Sequence, residues 1–153
     1  MSSEINAIYT AIAAWAPTHK AGVSVNVWTP AKIVSTLSPA SCPLRVLTIT
    51  EGGETGEEGN FIALGKTFSV TWLLTDLYLM RAVAQTPTHR DDVDKRLIDY
   101  QASYLDAVIA DRSPTSQSHI VRVSMYPGVI RWPTLESDPY FGVRCVLEIQ
   151  EII

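Results

Sequence analysis

The chain is 153 residues long, 46% hydrophobic and 18% charged, with a formal net charge of −4. That composition belongs to a folded chain rather than a disordered one, and the length suits one domain, residues 1–153, burying roughly 68–70% of its unfolded surface. Twelve basic residues against sixteen acidic ones, with no lysine or arginine run, exclude a nucleic-acid binder that works through a broad basic face.

Residues 3–16 predict an amphipathic helix. Ser3 stands at the cap, Ile5, Ile8, Tyr9, Ile12 and Trp15 follow helical spacing, and Pro17 stops it. "GVSVNVW" alternates as a strand, with Val23, Val25 and Val27 on one face. In "TPAKIVSTL", Thr29 caps and Pro30 takes the first position of a short helix. "LRVLTIT" (44–50) is a strand covered on both faces. After "EGGETGEEGN" (51–60) comes a long strand or pair of strands over 61–80, with Phe68, Val70, Trp72 and Leu74 on one face and a bend near Gly65. The 44–50 and 61–80 segments are expected to be the two arms of an antiparallel hairpin tipped by 51–60.

"TPTHRDDVDKRLIDYQASYLDAVIADRSP" is the longest helix pattern. Thr88 and Asp91 form a capping-box-like pair, and Asp91, Asp92 and Asp94 suit the first turn, where the helix dipole favours acids. Val93, Leu97, Tyr100, Tyr104 and Val108 make the apolar stripe, which Ile98, Leu105 and Ile109 are expected to widen. Then comes a strand with Val121, Val123 and Met125 on one face, the connection "PGVIRWPTLESDP", and a closing strand. In that last strand Phe141, Val143, Cys145, Leu147 and Ile149 alternate with Arg144, Glu148 and Gln150. Strands mostly adjoin strands. The expected fold is therefore α+β, a mostly antiparallel sheet with an N-terminal helix and one long helix packed on one face.

No pattern identifies a reaction. His19, His89 and His119 have no companion nucleophile, Cys42 and Cys145 form no metal spacing, and a catalytic site needs nucleophile, base and orienter together. "HRDDVD" gathers His89 with three aspartates, but the dipole already accounts for those acids, so no metal and no cofactor is expected. The N-terminus lacks the basic and apolar regions of a signal peptide, and "VTWLLTDLYLMRAVA" is too short for a bilayer and broken by Asp76 and Arg81. Glu51, Glu54, Glu57 and Glu58 lie in a glycine-rich stretch that lacks both the calcium-loop pattern and the phosphate-loop lysine. It reads either as a solvated loop or as one that acts within an assembly. Arg131, Trp132 and Tyr140, in a proline-stiffened connection, are the residue types that dominate protein interfaces; equally, Trp132 covers a core edge.

Taken together, "INAIYTAIAAW", the strand and "TPAKIVSTL" turn, the central hairpin, "DDVDKRLIDYQASYLDAVIAD" and the closing "YFGVRCVLEIQEII" resemble the tail terminator proteins of long-tailed bacteriophages along nearly the whole chain. The resemblance implies a non-enzymatic virion protein of the tail or neck, present in the host cytoplasm during assembly. It implies a homo-hexameric ring that caps the tail tube, ends its growth and joins it to the head connector. Partners are then the tail tube protein and a connector or neck protein, with DNA passing through the lumen without sequence-specific binding and no membrane involved. Head–tail connector and other tail-completion proteins share the pattern. A small-ligand or regulatory binding module is the alternative of another class, and it would need a concave apolar pocket.

Overall fold

The computed structural model describes residues 4–18, 26–28, 43–49, 61–64, 67–80, 87–130 and 140–152. In chain order they form α1 (Ile5–Ala13), β1 (Asn26–Trp28), β2 (Leu44–Ile49), β3 (Phe61–Leu64), β4 (Thr67–Met80), α2 (Pro87–Ala110), β5 (Ser118–Ile130) and β6 (Tyr140–Ile152). The strands make one sheet in the order β1-β2-β4-β6-β5, with β3 also paired to β4. Only β1–β2 is parallel; the other four pairings are antiparallel. The α+β fold expected from the sequence is the one that forms. Ser3, residues 22–25 and the "TPAKIVSTL" turn lie outside the described residues.

Both helices cover the same sheet face. Ile8 and Ile12 of α1 and the whole stripe Val93, Leu97, Tyr100, Tyr104 and Val108 of α2 join Leu74, Tyr78, Val143, Cys145, Leu147 and Ile149 in one buried cluster. Each such side chain contributes about 1.5–3 kcal/mol by leaving water. Polar ties fix the helices on this layer. Glu4, the residue before α1, has no side-chain cap; its backbone N–H donates to Glu151 Oε1, and Trp72 Nε1 donates to Glu151 Oε2 at 2.7 Å. Trp15 Nε1 donates to Asp111 Oδ2 at 2.9 Å, joining the end of α1 to the end of α2.

Five sequence expectations are corrected. First, β2 does pair antiparallel with the 61–80 segment, as expected, but not as the adjacent arm of a simple hairpin, because β3 takes the neighbouring stretch of β4. Residues Leu44–Ile49 pair with Leu79–Leu74, while Phe61–Leu64 pair with Val70–Thr67, on the side of β4 opposite β6. β2 and β3 therefore run end to end along one edge of β4, and the chain reverses between the paired Leu64 and Thr67. Second, Ile98, Leu105 and Ile109 do not widen the inner stripe of α2; they are 63%, 40% and 68% exposed. One residue advances 100° around a helix, so Ile98 and Leu105 each lie about a third of a turn past buried Leu97 and Tyr104.

Third, β5 carries a bulge. Ile120 pairs with Ile149 and Arg122 with Glu148, which leaves Val121 unpaired and 52% exposed. Val123 and Met125 do pack on the core, as their alternation predicts. Fourth, "PGVI" belongs to the strand rather than to the connection, since Pro127 through Ile130 pair with Val143 through Tyr140. β5 is an edge strand in the path of the sheet, where a proline's missing N–H is tolerated. Fifth, α2 begins at Pro87, so Thr88 falls inside the first turn rather than at its cap, and Asp91, Asp92 and Asp94 come after that turn rather than in it.

Candidate functional site

On the sheet face away from the helices, the middle stretch of β4, β6 and β5 carries exposed and half-buried side chains. Alternation brings Arg122, Ser124 and Tyr126 of β5 level with Glu148, Val146 and Arg144 of β6, and Leu73 and Thr75 of β4 continue the two upper rows. These eight residues line a shallow groove of about 280 Å³. Its floor is the apolar pair Leu73 and Val146, and its rim carries the charges. Arg122 and Arg144 are both exposed, and Tyr126 is 51% exposed. Arg144 Cζ lies 4.9 Å from the centroid of the Tyr126 ring, a cation–π arrangement that steadies the guanidinium. Arg122 faces Glu148 across the strands, yet among the described residues neither head group is in an ion pair or hydrogen bond.

Chemically this is a recognition surface. Two guanidiniums with free donors bind carboxylates, bidentately where geometry permits. The stacked tyrosine and the apolar floor accept aliphatic side chains, the pairing typical of interface centres.

At the opposite end of the same face, Leu44, Val46, Leu79 and Tyr140 form a second buried cluster, with Leu77 and Ile130 against it. Tyr140, expected as an interface residue, is 2% exposed and belongs to this cluster. Arg131 and Trp132 lie outside the described residues, as do Glu51, Glu54, Glu57 and Glu58. His119 is exposed on β5, and Cys145 is a free, buried thiol whose pKa burial and then Asp76 push up. Among the described residues no three His, Cys, Asp or Glu side chains gather as metal ligands, and no helix is long and apolar enough to cross a membrane.

Sequence reasoning missed the groove because its charged residues come from two strands about twenty positions apart. The available signal was the polar face of the closing strand, where Arg144 and Glu148 already stood opposite the core residues. No protein-family model matches the sequence, and no curated protein matches it.

Proposed function

We propose that the chain is a structural virion protein that closes into a ring, a tail terminator of the long-tailed phage type. The observation that carries this reading is that the described residues present two different exposed surfaces. One is the charged groove on the open sheet face. The other is the outer side of α2, where Ile98, Leu105 and Ile109 stand exposed in a row. A head-to-tail ring requires two unlike patches on one chain, each meeting the other on a neighbour, with a rotation that closes. An exposed apolar row of this kind offers a helix face that a neighbour can cover. The order of elements, which resembles that of tail terminators, adds the size of the ring and its place on the tube.

In such a ring Glu51, Glu54, Glu57 and Glu58 face either the lumen, where their charge repels the passing DNA backbone, or the tube subunit. A neck or head–tail connector protein uses the same ring and differs in which component docks first. Mass in solution by light scattering at several concentrations, with negative-stain images after adding purified tail tubes, tests the proposal. A six-membered ring, free or on the tube end, is the expected result. A chain that stays monomeric with and without tubes overturns it.

A further inference from the structure

We propose that the outer face of α2 of one copy seats in the sheet groove of a second copy. The two surfaces are complementary in charge and in apolar content. On α2, Ile98, Ala102, Leu105 and Ile109 follow i, i+4, i+7 and i+11 spacing and all are exposed. Asp99 and Asp106, also exposed, run along one flank of this row together with exposed Lys95, with Asp94 on the other, so that acids outnumber the base three to one. The groove presents the reverse: an apolar floor of Leu73 and Val146 beneath Arg122 and Arg144, with Glu148 leaving one positive charge in surplus.

The spacings agree. Asp99 and Asp106 are seven residues apart, about 10 Å along a helix. Arg144 pairs with Tyr126, four residues along β5 from Arg122, which sets the two arginines roughly 13–14 Å apart along the strand direction. Arginine side chains are long enough to absorb that difference. Docked in this way, a neighbour's helix covers the groove stretch of the sheet face opposite the chain's own helices. The contact is heterologous, as a ring requires, so the proposal rests on the ring reading and names its interface. Phosphate is the weaker fit, because Glu148 stands within the rim and the chain as a whole is acidic.

The test is charge exchange. Asp99→Lys/Asp106→Lys reverses the helix, and Arg122→Glu/Arg144→Glu reverses the groove; all four positions are exposed, and circular dichroism checks that both variants fold. Each alone should weaken self-association on the order of tenfold or more, read by light scattering, and an equimolar mixture should restore it by alternating the two variants. Should a reversed variant misfold, Asp99→Asn/Asp106→Asn and Arg122→Gln/Arg144→Gln must show the same loss. Wild-type association should also fall as salt screens the contact.

A variant that assembles like the wild type overturns the interface and leaves the ring reading standing. So does a mixture of two folded, weakened variants that fails to recover, since the groove then takes some other segment of the neighbour. A wild-type chain monomeric at every concentration overturns this contact, and tail tubes alone then decide the ring. A closed pair, sensitive to both variants, supports the contact and sinks the ring.

Discussion

The Arg45 guanidinium and the Asp76 carboxylate meet inside the core with both side chains 0% exposed, Nε donating to Oδ1 at 3.2 Å. The arginine also donates to the carbonyl oxygens of Trp15, at 2.7 Å, and Ile12, at 3.3 Å, at and just past the end of α1; the Ile12 carbonyl accepts the Trp15 N–H as well, at 3.1 Å. Tyr104 of α2 donates its hydroxyl to Asp76 Oδ2 at 3.0 Å. One buried pair therefore joins β2, β4, α1 and α2. Burial alone would pull the arginine's pKa down, but the charge and hydrogen bonds of Asp76, helped by Tyr100 and Tyr104, outweigh it and raise it.

Removing one partner leaves the other charge stranded. Asp76→Asn or Arg45→Met should each cost about 3–5 kcal/mol in urea unfolding, whereas Arg45→Met/Asp76→Leu should recover much of that loss. A double variant whose loss equals the sum of the two single losses would mean that the pair is not coupled.

Stability should be level up to about pH 9 as far as these core groups are concerned, and then fall. Burial first, and the charge of Asp76 second, raise Tyr9 from 10.0 to about 12, and they push Cys145, Tyr100 and Tyr104 further up. Each folded group keeps its proton past the pH at which the unfolded chain releases it. The folded state then holds more protons, so stability declines with rising pH. The decline begins near 9, the ordinary value for the thiol, steepens above 10 as unfolded tyrosines ionise, and for Tyr9 runs through about 12. Urea midpoints at pH 8, 10 and 11 check this, and Tyr9→Phe should make the fall shallower.

Adjacent positions on α2 should respond oppositely. Leu97 is 5% exposed and Ile98 is 63% exposed. Leu97→Ala should cost about 2–5 kcal/mol by leaving a cavity in the core. Ile98→Ala should stay within about 0.5 kcal/mol. Matching losses would mean that the outer row is covered in the isolated chain.

These two neighbours also mark how far the sequence could be read. Periodicity identified Val93, Leu97, Tyr100, Tyr104 and Val108 as the inner stripe because burial on one helix face leaves a local signal. It could not say where the stripe ended, since Ile98 and Leu105 are equally apolar and only the width of the neighbouring sheet decides. Alternation likewise gave the faces of β6, but not the partner of each strand. The register that places β2 and β3 end to end on β4 is a non-local choice, as is the cross-strand meeting of Arg144 with Tyr126. Arg45 and Asp76 each sat in an apolar strand, and a lone charge in such a strand was the visible sign that a buried partner existed.

Gly142 is required by close approach. A Cβ built there would stand 1.9 Å from the backbone oxygen of Tyr78 and 2.9 Å from Ile130 Cδ1. The side chain could yield, but the strand backbone cannot without parting β4 from β6. Gly142→Ala should therefore destabilise by about 1–3 kcal/mol or more, with loss of amide protection across Leu79 and its neighbours. Gly128, with φ at 146° and nothing within 4 Å of its added Cβ, is the control in which backbone conformation rather than space is at stake.

The 51–60 segment should be dispensable for folding. Ile49 pairs with Leu74 and Phe61 with Val70, so twelve residue steps of chain return to β4 only four residues further along, a span of about 14 Å. Six steps in extended conformation already reach roughly 20 Å. Deleting residues 53–58 should therefore leave both pairings intact and change stability by less than about 1 kcal/mol, because closure entropy varies only slowly with loop length. Amide exchange across β3 and β4, with urea unfolding, would show it. Loss of β3 pairing in the shortened chain would mean that the segment helps to hold that edge, and its glutamates would then belong to the fold rather than to an assembly.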